Sequence, residues 1–282
     1  MKLSALYAQK RPVHSFEFFP PKTDQGAKNL FKTVTELARE GPDYISVTCP
    51  LDKPRRGLTF DLVARIKREV GIETMAHLVT VDYTREEMAG VLERLRRDDI
   101  DNILALRGDL PDDTTQVVRE FDHASDLADF AAPYGFGIGG AAHPERHPDS
   151  GDWDIEIAGA QHKVDAGCEY LITQLFFDNA DYFAYVDRLR AAGIGVPVVA
   201  GIMPVTSVPG IRRMAQMNGN RIPEALEREL ARVDGDAEAT AQVGVEWATL
   251  QCEELIRGGA PGIHFFTLNR SPATRQILAR LR

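Results

Sequence analysis

The chain has 282 residues, 44% of them apolar, which is enough for a large core and within reach of one β/α barrel or two smaller domains. Against 33 lysines and arginines stand 42 aspartates and glutamates, a formal net charge of −9, and no basic stripe that would suit a nucleic-acid partner. Cys49, Cys168 and Cys252 are widely spaced and odd in number, so neither a disulfide framework nor a zinc knuckle is expected; no run approaches the ~20 apolar residues of a membrane span, and "MKLSALYAQKRPVHSF" has no apolar signal region, so the expected location is cytoplasmic.

Along the chain, short β-rich runs alternate with longer stretches of helical spacing. The runs are "HSFEFF" (14–19), "YISVTC" (44–49), "TMAHLV" (74–79), "NILALR" (102–107), "GFGIGGAA" (135–142), "YLITQLFF" (170–177), "PVVAGIM" (197–203) and "GIHFFTL" (262–268). Stretches such as "AKNLFKTVTELARE" and "DYFAYVDRLRAAG" lie between them, and Gly41, Gly71, Gly167 and Gly193 fall where a helix C-cap is expected. Apolar runs separated by helices argue for parallel strands buried on both faces. Eight such units predict an α/β protein with a (β/α)8 TIM barrel, one domain over residues 1–282, with extra helices (206–218, 223–233, 236–257) between strands seven and eight.

Such barrels place their chemistry at the C-terminal ends of the strands. Polar groups collect there: Glu17, Thr48, His77, Arg107, Asp109, His143, Gln174, Asn269 and Arg270. Alternation along run one puts Glu17 on one face and Phe16 and Phe18 on the other, so either the carboxylate or the phenylalanines point into the barrel. An inward Glu17 is expected to have a raised pKa, which suits a general acid; a structural salt bridge is the alternative. In "LALRGDLP" (104–111), Arg107 and Asp109 flank a turn at Gly108, serving a ligand or pairing with each other. Gln174 could bind a ligand amide or bridge strands. His143 and His147 are spaced i, i+4, but Pro144 breaks the helical face a metal pair would need, so no metal is expected. "YGFGIGG" (134–140) lies within a strand run, so its glycines predict room for something lying against the strand rather than a dinucleotide loop. Lys163 is a candidate phosphate partner or a solvated helix-end lysine.

These clusters, in this order, resemble the bacterial methylenetetrahydrofolate reductase family: "SFEFFPPKT", "ISVT", "AHL", "NILALRGDLP", the "HP" after run five, "KVDAG", "ITQLFFD", "GIMPVTS" and "HFFTLNRSPAT", collinear over residues 14–275. The resemblance implies an FAD-containing enzyme that takes hydride from NADH or NADPH and reduces the folate substrate, 5,10-methylenetetrahydrofolate, to 5-methyltetrahydrofolate in a ping-pong cycle, as a homo-oligomer. It implies that Glu17 is the general acid, that Asp109 contacts the pterin near the flavin, that Gln174 contacts pterin and nicotinamide, and that Arg270 contacts the folate. It places Thr48, His77, Arg107, Gly108, Ala124, His143, His147 and Lys163 at flavin or nicotinamide positions.

The sequence departs from the family pattern at Cys49 and Pro50, where Tyr-Gly is usual, at His143, where an aromatic precedes Pro-Glu, at Glu156, Gly159 and His162, and at Gly210 and Met214. The flavin-facing set is altered more than the folate-facing set. Two other readings therefore stand beside the first: a flavin-independent reductase with direct hydride transfer, and a folate-binding partner subunit of a methyl-transfer assembly. An unrelated barrel that binds a phosphorylated substrate is disfavoured, because "IRGGAPGIHFF" lacks a phosphate-binding glycine loop.

Overall fold

The computed structural model describes residues 1–110 and 117–282. Eight parallel strands close into a barrel in sequence order: β1 (Val13–Phe18), β2 (Tyr44–Val47), β3 (Glu73–Val79), β4 (Asn102–Leu106), β5 (Gly137–Ala142), β6 (Tyr170–Thr173), β7 (Val198–Ile202) and β8 (Gly262–Phe266). β8 returns to β1 with Ser15 opposite His264 and Glu17 opposite Phe266. The expected (β/α)8 architecture is borne out.

The outer layer is α2 (Asp24–Ala38), α3 (Gly57–Val70), α4 (Arg85–Arg97), α5 (Ala124–Ala131), α6 (Trp153–Asp165), α7 (Asn179–Ala191) and α11 (Pro272–Leu281). The seventh connection carries α8 (Val208–Asn218), α9 (Glu224–Arg232) and α10 (Ala237–Arg257), the three helices read from the sequence. The local signals are physical ones. α4 opens with a reciprocal cap, Thr84 Oγ1 accepting from the Glu87 amide at 3.1 Å and Glu87 Oε2 from the Thr84 amide at 2.9 Å. Its first turn holds Glu86 and Glu87 and its last Arg94, Arg96 and Arg97, which complements the helix dipole.

Two concentric apolar layers follow from strand alternation. Phe16, Phe18, Ile45, Val47, Ile263 and Phe265 pack outward against the helices. Val13, Tyr44, Met75, Leu104, Tyr170 and Val199 fill the barrel interior. The inward set of β1 is therefore Val13, Ser15 and Glu17, and the phenylalanines face the helices.

A further helix, α1 (Leu3–Gln9), was not foreseen. It places the fully buried Leu3 and Tyr7 among the interior residues. The Leu3 amide donates to Asn102 Oδ1 at 2.9 Å, and the Tyr7 and Tyr44 hydroxyls meet at 2.9 Å. The glycines of β5 make room for neighbouring side chains rather than for a ligand: a Cβ on Gly139 would lie 2.6 Å from the Tyr170 ring, and one on Gly140 3.1 Å from Leu171. Run six extends less far than expected, and Leu175 and Phe177 join a separate core with Val205, Val208 and Leu226. Among the described residues no helix is long and apolar enough to cross a membrane.

Candidate active site

Glu17 sits on the last turn of the barrel interior, its side chain 17% exposed, with one side open toward the mouth. Its partners are two imidazoles. Oε2 lies 3.3 Å from His264 Nε2 and 3.5 Å from His77 Nε2. His264 is fully buried, its Nδ1 2.7 Å from Ser15 Oγ and its Nε2 3.5 Å from Ser46 Oγ. The ring stacks on Tyr44, with centroids 6.1 Å apart, and takes Phe266 edge-on at 5.5 Å.

Burial pushes the Glu17 carboxyl up, but the hydrogen bond with His264 and the charges of His77 and His264 outweigh it and hold the group below its ordinary value. The expectation of a raised pKa is corrected by this. It rested on an apolar surround, and the phenylalanines that suggested one face the helices. Burial pushes His77 down to about 4, so its imidazole is neutral at neutral pH. His77 Nε2 is buried and, among the described residues, has no hydrogen-bond partner of good geometry.

The β8 exit clamps the β1 exit. Thr267 Oγ1 donates to the Glu17 carbonyl at 2.6 Å, and Asn269 both accepts from the Phe19 amide at 3.0 Å and donates to its carbonyl at 2.9 Å. Asn269 is thus a structural tie. Arg270 is exposed and lines a cavity of about 270 Å³ with Thr206, Phe266 and Thr267. Gln174 lies just past β6, held by its own chain: its amide nitrogen donates to Asn218 Oδ1 at 3.3 Å and its oxygen accepts from the Leu175 amide at 2.9 Å.

Beyond β2, Thr48 donates its amide to the Phe18 carbonyl at 2.8 Å, and its own carbonyl accepts from Thr59 Oγ1 at 2.7 Å. The Cys49–Pro50 departure is held from below by Arg56, a buried guanidinium the sequence did not single out. It donates to the Pro50 and Leu51 carbonyls at 3.2 and 2.9 Å and lies 4.7 Å over the Tyr83 ring. Burial pushes the Cys49 thiol up to about 11, so it is protonated at neutral pH.

After β4, Gly108 adopts φ 82°, and a Cβ there would meet Val79 at 3.1 Å, so a side chain would be both strained and crowded. Arg107 pairs with Asp149 at 3.0 Å rather than with Asp109, which is exposed. Arg107 also lines a second cavity, of about 260 Å³, with Thr80, Leu110, Phe121 and His123. Ala124 is buried at the start of α5. Pro111, the end of "LALRGDLP", lies outside the described residues.

The β5 exit folds onto α6. Glu156 Oε2 accepts from the His147 amide at 3.0 Å and from Ser150 Oγ at 2.8 Å, and its Oε1 is 3.4 Å from His143 Nδ1. His147 Nδ1 accepts from the Asp149 amide at 3.1 Å, and the His143 and His147 rings meet edge to face at 4.8 Å. His147 thus spends its Nδ1 inside the loop, while His143 Nδ1 is buried beside Glu156 without an aligned hydrogen bond among the described residues. Lys163 is not a solvated lysine: its ammonium donates to the Ala141 carbonyl at 2.8 Å, and burial pushes its pKa down.

Burial pushes Glu156 up, yet the His143 contact and the loop hydrogen bonds hold it at about 2. A carboxyl depressed on folding stabilises above its unfolded pKa and loses that contribution as pH falls through its folded value. Protection of the His147 amide from hydrogen exchange is therefore expected to fade as pH drops from about 4 toward about 2. In Glu156→Gln that protection is already reduced at neutral pH; identical protection in variant and wild type would remove Glu156 as the anchor of the loop.

A closed (β/α)8 barrel with a carboxylate and two imidazoles at its mouth defines a barrel of enzyme type. The sequence matches the methylenetetrahydrofolate reductase family over residues 2–282, and the chain belongs to that family. It is 35% identical over 295 residues to methylenetetrahydrofolate reductase (NADH) 1 of Arabidopsis thaliana, covering 99% of this chain and 50% of that protein. It is 34% identical over 264 residues to 5,10-methylenetetrahydrofolate reductase of Escherichia coli, covering 93% of this chain and 88% of that one. The chain spans about half the length of the plant relatives. In fold it is similar to a Clostridium thermocellum protein whose structure is described as binding two copies of 5-methyl-5,6,7,8-tetrahydrofolic acid, with TM-score 0.63, 15% identity, and coverage of 99% and 97% of the two chains. It is also similar to a dihydropteroate synthase from Stenotrophomonas maltophilia, with TM-score 0.55 and 14% identity, covering 96% of this chain and 91% of that one.

Proposed function

We propose that this chain catalyses the NAD(P)H-dependent reduction of 5,10-methylenetetrahydrofolate to 5-methyltetrahydrofolate, with Glu17 as general acid. The observation that carries the reading is the Glu17 carboxylate itself, inward at the barrel mouth with an imidazole at 3.3 Å and another at 3.5 Å. A protein that only bound folate would have no use for an inward ionisable carboxyl so placed.

The residues fit a flavin. Among the described residues His77 offers a buried nitrogen that lies near Glu17 but makes no aligned hydrogen bond, Gly108 leaves the backbone open where a Cβ would crowd Val79, and Arg107 lines a cavity beside that turn. Thr48, His77, Arg107, Gly108 and Lys163 would hold it, and a bound flavin supplies hydride transfer between nicotinamide and folate. Glu17 protonates the folate nitrogen that leaves as the five-membered ring opens. Gln174, fixed by Asn218 and by its own chain, presents its amide to the pterin. Arg270 offers a planar guanidinium to the folate's carboxylate end. Asp109, exposed beside the turn, contacts the pterin.

A second reading is direct hydride transfer with both substrates bound together. It draws on α6, where Glu156 is spent on the 147–150 loop and Gly159 presents no side chain. The visible absorption spectrum of the purified protein separates the two. Flavin bands that bleach anaerobically with NADH or NADPH are expected. A protein that stays colourless after excess FAD, yet oxidises NAD(P)H only with methylenetetrahydrofolate present, would replace the flavin reading with the second one.

A further inference from the structure

His264 lies on β8, one level below Glu17. A carboxylate can only accept hydrogen bonds, so the nitrogen facing Glu17 Oε2 at 3.3 Å is the one that carries a proton. The other nitrogen, Nδ1, meets the Ser15 hydroxyl at 2.7 Å. A hydroxyl both donates and accepts. It can give its hydrogen to Nδ1 of the neutral ring or take one from Nδ1 of the charged ring. Both protonation states of His264 are therefore satisfied without moving a heavy atom, which is unusual for a fully buried imidazole.

Building on the function proposed above, we infer that His264 is the proton-holding partner of Glu17: one proton is shared between His264 Nε2 and Glu17 Oε2, and His264 resupplies the acid from beneath. The transfer is balanced. The Nε2–H bond breaks as the Oε2–H bond forms, the charged pair becomes a neutral one, and Nδ1 keeps its hydrogen and goes on donating to the Ser15 hydroxyl. Glu17 then passes that proton to the leaving folate nitrogen. His264 touches no substrate and acts through Glu17, so it is a positioning residue.

The groups around the pair leave this role to His264. From β1 come Ser15 and Glu17, from β2 Tyr44 and Ser46, and from β3 His77; β7 contributes Gly201, opposite His264. Tyr44, pushed up to about 12 by burial, keeps its proton at neutral pH, and so do Tyr7 and Tyr170 behind it, which burial raises further. His77 stands at 3.5 Å, but its Nε2 lacks the aligned contact that His264 makes.

The test has a substrate-free arm and a kinetic arm. In ¹⁵N-histidine-labelled protein at neutral pH, the His264 Nε2–H is expected to give a strongly downfield proton signal, and Glu17→Gln should move it clearly upfield, since the carboxylate that accepts it is gone. An Nε2–H signal at the same position in wild type and Glu17→Gln would overturn the pairing. In His264→Gln, whose side-chain amide can still donate to Glu17 but cannot carry a proton onward, kcat for folate reduction should fall about 100-fold with KM little changed, and the rate should keep rising as pH falls. A loss of kcat below about tenfold would overturn the relay. If that variant does not fold, Ser15→Ala is expected to move the His264 Nδ1 signal and slow kcat, and no change in either would count equally against it. A wild-type protein that reduces no folate with either nicotinamide would sink the proposed function while leaving the substrate-free arm to decide the pairing.

Discussion

Glu17→Gln is expected to lower folate reduction by about 10²–10⁴-fold, while NAD(P)H oxidation by an artificial electron acceptor in the flavin-loaded protein stays within about twofold of wild type. Glutamine has nearly the same shape and can still meet His264 and His77, so the barrel interior has little reason to rearrange. What is lost is the ability to give a proton. The folate ring does not open to its reactive form until the departing nitrogen is protonated, whereas hydride removal from the nicotinamide needs no acid at that position. The range corresponds to roughly 3–5 kcal/mol of transition-state stabilisation, a normal share for one positioned acid. Steady-state assays of the two half-reactions on one preparation decide the point. Equal loss of both would mean that Glu17 holds the site together rather than protonating the folate.

The strands were legible because barrel strands buried on both faces read as short apolar runs, and seven of the eight end within a couple of residues of the run that announced them. The exception is instructive. In "YLITQLFF" the apolar character continues past Thr173 because Leu175 and Phe177 serve a different core, under α8 and α9, and composition cannot tell a strand from a turn that feeds a neighbouring cluster. α1 was missed because a helix of seven residues shows only two buried positions, Leu3 and Tyr7, too few for a period to stand out. Glu17 was found through its placement near a strand end, but its surroundings were misjudged. Whether phenylalanines or imidazoles surround an inward carboxylate depends on which residues of β3 and β8 share its level, and that is a matter of register across the closed sheet. One signal for His264 was available: it alternates with Phe265, and an imidazole on the inward side of an apolar strand must find a polar partner. Arg56 gave no comparable signal, because a buried guanidinium that caps two loop carbonyls reads in sequence like any surface arginine.

Gly244→Ala should lower the melting temperature by about 5–10 °C, although alanine is ordinarily the better helix former by about 1 kcal/mol. Gly244 is buried within α10, where that helix crosses the β7 exit. A Cβ there would stand 1.9 Å from the Val205 carbonyl oxygen, 2.7 Å from its carbon and 2.9 Å from its Cα. All three are backbone atoms, so no rotamer change relieves the overlap, and either α10 or residues 204–206 must move. Overpacking of this kind costs about 1–3 kcal/mol or more, which outweighs the helix-propensity gain. Gly90 supplies the opposite case. It is exposed within α4 with no atom within 4 Å of an added Cβ, so Gly90→Ala should raise the melting temperature by a few degrees. The strain at Gly244 also reaches the site. Pro204 and Thr206 flank Val205 and line the cavity that Arg270 borders, so the variant should raise KM for folate more than it lowers kcat. Thermal melts of both variants, with folate kinetics on Gly244→Ala, test the packing and its link to the cavity together. A Gly244→Ala protein that melts at or above the wild-type temperature would show that α10 does not press on the β7 exit.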